Sequence, residues 1–224
     1  MNATITSTAH YVPEKVLTNS DLEKLVDTSD EWIKSRVGIN QRHVVSDGEA
    51  SSDMSTKVAH SLLEKRGISA ANIDVIIIGT VTPDHPTPST AAIVQNNINA
   101  ENAWAFDLSA ACSGFLYALE TGAKFIESGQ YKTIMVIGVD TMTSILDFED
   151  RETCIIFGDG AGGVILEASK SNTGILGSVL KTDGSGAESL NVLAGGSKYP
   201  ASLTTIKNRQ HYIKQDGKKV FKFA

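Results

Sequence analysis

Two short runs, VIIIGT at residues 75–80 and TIMVIG at residues 133–138, are apolar at nearly every position, and they restrict the fold more than any other feature of the chain. A strand with one face in water alternates apolar and polar residues. A strand that is apolar throughout is covered on both faces, as in a sheet held between layers of helices. β-Branched runs at residues 3–8, 104–108 and 163–167 supply further strands, several bounded by glycine. Between them lie helical patterns. Residues 52–66 set Met54, Val58 and Leu62 on one face and stop at Gly67, and the same logic covers 89–98 and 113–128. This alternation predicts an α/β fold.

The chain has 224 residues and is 41% hydrophobic, enough for a substantial core. Its net charge of −6, with no basic stripe, argues against nucleic acid as a partner, because that affinity comes mainly from neutralising phosphates. Two cysteines, Cys112 and Cys154, are too few for a secreted disulfide framework and are not spaced for zinc. The first residues show neither a basic region nor an apolar signal core, and the apolar runs are too short to span a bilayer. The expectation is a cytoplasmic protein without membrane association. Past residue 170 the pattern loosens, and residues 183–210 read as a long irregular excursion. The domain expectation is a first half over 1–170 that carries the chemistry, with 171–224 as a connecting excursion and the start of a second half.

The segment AFDLSAACSGF runs from a strand into a helix through Ser109, Ala110 and Ala111. Small residues permit a tight turn there, which sets Cys112 at the first turn of the helix, where free N–H groups and the positive end of the dipole favour thiolate. That is the logic of a nucleophile elbow. The competing reading is a small core residue, since free cysteine is among the most buried types. Cys154, ahead of a strand-like IIF, keeps the core reading. GDGAGG at 158–163 lacks the following helix that a dinucleotide fingerprint requires; its glycines instead suggest a tight strand turn and a close approach to the nucleophile loop. In TSDEWIKSRVGI, Thr28 and Glu31 form a capping-box pattern, while Trp32 and Arg36 share one helix face, where an indole beside a guanidinium can stack a planar base.

Taken together, TSDEWIKSRVGI, AFDLSAACSGFLYAL, DRETCIIFGDGAGG, LKTDGSG and GKKVFKFA resemble, in this order and spacing, the β-ketoacyl-acyl carrier protein synthase III family over essentially the whole chain. The resemblance implies a thiolase-like five-layered αβαβα sandwich of two similar halves, the second incomplete here, and a homodimer. It implies an acyltransferase that initiates type II fatty acid synthesis, taking an acetyl or other short acyl group from acyl-CoA onto Cys112 and condensing it with malonyl-acyl carrier protein, with loss of carbon dioxide. By the same resemblance Trp32 and Arg151 flank the CoA adenine, with Thr28, Arg36 and Phe221 along the same channel, and Thr87, Met142 and Phe157 shape the acyl pocket. Lys222 docks the acidic carrier protein. No metal is implied, and no cofactor beyond acyl-CoA as substrate.

Family members also use a histidine in an HQAN-like motif, a later asparagine and a C-terminal oxyanion-hole glycine. His10, His43, His60, His85 and His211 lie in none of the matching contexts. A shortened chain, inactive in condensation by itself, is therefore the expectation. Two other readings share the fold: a starter-unit condensing enzyme of secondary metabolism, which would keep Cys112, and a catalytically dead thiolase-like protein that binds a partner or forms a dimer.

Overall fold

The structure, a computed structural model, describes residues 2–171 and 173–223; Met1, Asn172 and Ala224, the last residue of GKKVFKFA, lie outside them. The elements run in the order β1 (Asn2–Tyr11), β2 (Lys15–Thr18), α1 (Asn19–Leu22), α2 (Asp30–Val37), β3 (Gln41–Val44), α3 (Ser51–Arg66), β4 (Val75–Gly79), α4 (Thr90–Asn97), β5 (Trp104–Leu108), α5 (Gly114–Glu127), β6 (Thr133–Thr141), α6 (Arg151–Cys154), β7 (Asp159–Ser169), β8 (Leu190–Val192), α7 (Leu203–Lys207), β9 (Ile213–Gln215) and α8 (Gly217–Phe223). They fall into two compact units that interleave along the chain. The first holds Met1–Glu14, Val45–Thr141 and Asp159–Leu180, the second Lys15–Val44, Met142–Gly158 and Lys181–Ala224.

The first unit is a helix–sheet–helix sandwich. Its five strands lie in the order β1-β7-β6-β4-β5. β4, β5 and β6 are parallel, and β7 runs antiparallel to both β1 and β6. The apolar run of β4 divides by parity: Val75 and Ile77 pack with Ala118 and Ile126 of α5, while Ile76 and Ile78 pack with Met54, Val58 and Leu62 of α3 and Val94 of α4. All four strand side chains are fully buried. Each contributes about 1.5–3 kcal/mol relative to exposure, so placing this run on a one-faced sheet would forfeit half of that burial. α3 ends as its sequence predicts, with Gly67 in the left-handed region at φ 71° and its N–H on the Leu63 carbonyl at 2.8 Å.

Gly160, Gly162 and Gly163 of GDGAGG lie inside β7 and serve the sheet, while Gly158 precedes β7 and lies against Arg42 and His43, so none of them serves the nucleophile loop. A Cβ on Gly163 would stand 2.8 Å from the Val136 carbonyl and 3.1 Å from Val58 of α3. The expected approach to the nucleophile loop is thereby corrected.

The second unit has a small core of Leu22, Ile33, Cys154 and Ile155, with Leu17, Val37 and Phe148 around it. β2 pairs with β3 and β8 with β9, both antiparallel. Two expectations change here. Residues 183–210 are not wholly irregular, since β8 and α7 fall within them, and IIF at 155–157 leaves α6 as a turn instead of forming a strand.

Candidate active site

β5 ends at Leu108 and α5 begins at Gly114; between them Ala111–Ser113 forms a single 3-10 turn that carries Cys112. The nucleophile candidate thus precedes the α-helix by two residues. Cys112 is exposed, whereas Cys154 is fully buried. Ala111 has φ +47°, in the left-handed region that side chains with a Cβ avoid. Such a residue costs on the order of 1–3 kcal/mol and persists only where its surroundings enforce it. Glycines seat the start of α5, directly after this turn. Gly79, the last residue of β4, is so close to the start of α5 that an added Cβ would meet the Gly114 carbonyl carbon at 2.8 Å. Its register partner Gly138 on β6 faces Phe115, at 3.1 Å from where a Cβ would be. Gly114, Ala118 and Gly122 continue along α5 as a buried small-residue face, so the helix lies close on the sheet. Cys112 is presented at the carboxyl end of the parallel strands, the end at which open α/β sheets bind ligands.

Burial pushes the Cys154 thiol up, and the charge of Asp150 adds to this while Arg42 opposes it. That thiol stays protonated, and only Cys112 is accessible to an acyl donor.

The loop after β4 carries Thr87, which is exposed. Three carboxylates hold the loop, two at its ends and one, Asp84, within it. Asp140 accepts from Val81 N at 2.8 Å, Thr82 Oγ1 at 2.8 Å and Thr80 Oγ1 at 3.1 Å. Asp84 accepts from the Ser52 amide at 2.8 Å and hydroxyl at 2.6 Å, at the start of α3. Asp107 accepts from the amides of Thr90 and Ala91 at 2.7 and 2.8 Å, where its charge complements the start of α4.

Within the second unit, Trp32 and Arg151 come together: the guanidinium lies 5.1 Å from the indole centroid, in cation–π range. Arg151 also donates to the Asp27 carbonyl at 2.9 Å. The cation over Trp32 is therefore Arg151 and not Arg36, which lies exposed on α2 without such a contact. The capping box is corrected as well. Ser29 is the N-cap of α2, accepting from Trp32 N at 3.1 Å, and Thr28 Oγ1 is buried without a hydrogen-bond partner among the described residues. Phe221 and Lys222 project from α8 and are exposed, Phe221 by 85%. Met142, just past β6, and Phe157 are partly buried.

The sequence reading missed Gly79, Asp84, Asp107 and Asp140. Gly79 is visible in VIIIGT as a strand terminator, but its role depends on a contact with Gly114 across 35 positions of chain. The aspartates carry no local signal, since each acts on a backbone distant in sequence.

Comparison with known proteins agrees with this geometry. A family model described as 3-oxoacyl-[acyl-carrier-protein] synthase III matches residues 106–184, which include the nucleophile turn. The β-ketoacyl-[acyl-carrier-protein] synthase III of Chlorobaculum tepidum is 58% identical over 227 residues, covering 100% of this chain and 69% of that protein. The crystal structure of 3-oxoacyl-[acyl-carrier-protein] synthase III from Aquifex aeolicus superposes with a TM-score of 0.88 at 41% identity, over 99% of this chain and 67% of that one. The priming β-ketosynthase of the R1128 polyketide pathway gives a TM-score of 0.89 at 30% identity, over 99% and 65%. Identity at this level across the whole chain, with the thiolase-like architecture these structures share, establishes that the chain belongs to the β-ketoacyl-[acyl-carrier-protein] synthase III family.

Proposed function

We propose that this protein is an acyltransferase that starts type II fatty acid synthesis, with Cys112 as its nucleophile. The Cys112 thiolate attacks the thioester carbonyl of acetyl-CoA or another short acyl-CoA; a new C–S bond forms, the bond from the acyl carbon to the CoA sulfur breaks, and CoA leaves as a thiolate that takes up a proton from solvent. Malonyl-acyl carrier protein then loses carbon dioxide. The electron pair released at its α-carbon attacks the acyl-cysteine carbonyl, forming the carbon–carbon bond of a 3-oxoacyl-acyl carrier protein and returning the thiolate. The observation that carries this reading is the exposed Cys112 on a turn held by Ala111 in the left-handed region and by Gly79 beneath it.

In this reading Trp32 and Arg151 flank the adenine of CoA, with Thr28, Arg36 and Phe221 along the same channel. Thr87, Met142 and Phe157 shape the acyl pocket, and the small side chain of Thr87 admits primers longer than acetyl. Lys222 meets the carrier protein. The protein acts as a cytoplasmic homodimer with no cofactor beyond its acyl-CoA substrate, and residues 1–170 form the nucleophile-bearing half, with 171–224 opening the second. Among the described residues no helix is long and apolar enough to cross a membrane. The similarity to a priming β-ketosynthase supports a second reading, a starter-unit condensing enzyme with the same nucleophile and another primer.

Intact-mass analysis after incubation with acyl-CoA tests the proposal. One acyl group should appear on Cys112, and it should leave on addition of malonyl-acyl carrier protein where the family's histidine and asparagine are also supplied. Label on Cys154, or on neither thiol, would overturn it. Trp32→Ala and Arg151→Ala should raise KM for acetyl-CoA, because each removes a stacking face or its cation. Relative kcat/KM for acetyl-, butyryl- and branched acyl-CoA separates the two readings.

A further inference from the structure

Arg42 on β3 is 3% exposed and has no carboxylate as a direct hydrogen-bond partner among the described residues. Its Nε donates to the Ile155 carbonyl at 3.1 Å, its second terminal nitrogen donates to the same oxygen, and its first donates to Asn19 Oδ1. Ile155 is the C-cap of α6, the single turn that begins with Arg151. Asn19 is 1% exposed, and its amide nitrogen donates to Asp30 Oδ1 at 2.8 Å and to the Ile39 carbonyl at 2.9 Å. Asp30 is the first residue of α2, and Ile39 follows its C-cap Gly38. One guanidinium and one amide therefore grip the end of α6 and both ends of α2.

Those two helices carry Arg151 and Trp32. A four-residue helix has little stability of its own, and an isolated cation–π contact at a half-exposed indole adds little to it. The Arg151–Trp32 pair cannot hold its own geometry. The buried Arg42–Asn19 pair has the reach and rigidity to do so, because every donor and the acceptor of the Asn19 amide are used. Burying a guanidinium on neutral acceptors is costly and is not needed to fill a small apolar core.

We infer that Arg42 and Asn19 are positioning residues for acyl-CoA: they fix α6 against α2 so that Arg151 and Trp32 form a preorganised clamp for the nucleotide end of the substrate. The inference rests on the assignment of Trp32 and Arg151 to CoA given above.

The test is kinetic, on the intact enzyme, with two acyl donors: acetyl-CoA and the acetyl thioester of N-acetylcysteamine, which lacks the nucleotide. Asn19→Asp keeps the acceptor for Arg42 but removes both donors to α2 and sets a second carboxylate beside Asp30. Arg42→Lys keeps the charge but cannot span Ile155 and Asn19 together. Both should raise KM for acetyl-CoA by about tenfold, with kcat and the use of the nucleotide-free thioester unchanged. Arg151→Ala should add little in the Asn19→Asp background, since the clamp is already lost. Equal losses on both donors would reduce the pair to a structural role, and unchanged KM in both variants would likewise overturn the inference. If Asn19→Asp fails to fold, the milder Arg42→Lys decides. Should Trp32→Ala and Arg151→Ala themselves leave the acetyl-CoA KM unchanged, the CoA assignment falls; if they raise it and the Arg42 and Asn19 variants do not, only the positioning role falls.

Discussion

A Cβ on Gly79 would stand 2.8 Å from the carbonyl carbon of Gly114 and 3.0 Å from the amide nitrogen of Phe115. Both are backbone atoms, so no side chain can rotate away, and the turn that carries Cys112 would have to move as a body. Gly79→Ala should slow single-turnover acylation by about 10²-fold, the scale of a misplacement near 1 Å. Gly138→Ala meets the Phe115 side chain at 3.1 Å, which can yield, and should cost less. An acylation rate for Gly79→Ala no lower than that of Gly138→Ala would refute the seat.

The two thiols should part cleanly in their chemistry. A thiol reagent applied to the native protein should label Cys112 and spare Cys154, which burial keeps protonated and unreachable. Cys154→Ser should leave acylation intact but lower stability by about 1–3 kcal/mol, because it sets a hydroxyl among Leu22, Ile33 and Ile155. Mass spectrometry of native and denatured samples and urea unfolding check the two halves. Equal labelling of both thiols in the native state would contradict the core assigned to the second unit.

What the sequence reveals and what it hides divide along physical lines. Parity in β4 and periodicity in α3 are local signals backed by burial on both faces, so these elements stand at or within a residue of their predicted limits. Cys112 is legible because small residues between a strand and a helix report a tight turn. The partner of Trp32 is given only by the family resemblance, which sets Arg151 beside it at the adenine. Helical spacing favours Arg36, four residues on, whereas the cation over the ring comes from Arg151, brought there by tertiary packing that no window of sequence contains. Gly163 misleads for the same reason: a glycine declares a close approach but not to what.

Asp147 makes the second unit sensitive to acid. Its side chain is 5% exposed and takes two hydrogen bonds from Arg209, one of them at 2.8 Å, and this pairing holds its carboxyl below the usual carboxylate range. The folded state then binds the proton less readily than the unfolded one. The stabilisation is present above about pH 4, the ordinary carboxylate value, and is lost as pH falls through the depressed one. Asp147→Asn should cost about 1–2 kcal/mol at neutral pH, a figure reduced from that of a fully buried pair because Arg209 is 44% exposed. Urea unfolding across pH should show parent and variant converging in acid. A constant difference from neutral pH down to strong acid would disprove the linkage.

Pairing also sorts the cations of residues 207–222. Arg209 is tied to Asp147 and Glu149, Lys214 to Asp150 at 3.1 Å, and Lys219 to Asp216 at 3.0 Å. Lys207, Lys218 and Lys222 have no ion pair among the described residues, so their fields are not neutralised locally. An acidic carrier protein approaching this stretch would be steered by those three more than by the paired ones. Lys222→Glu should therefore raise KM for malonyl-acyl carrier protein at low salt and leave KM for acetyl-CoA unchanged. The effect should fade towards physiological salt, where screening acts over about 8 Å. Lys219→Glu reverses the same charge but strands Asp216, so it should affect stability as well and gives the weaker test of docking. Steady-state kinetics at two ionic strengths decide the matter. If Lys222→Glu leaves carrier-protein kinetics untouched at low salt, docking does not run through this lysine, and the remaining unpaired cations, Lys207 and Lys218, become the residues to substitute together.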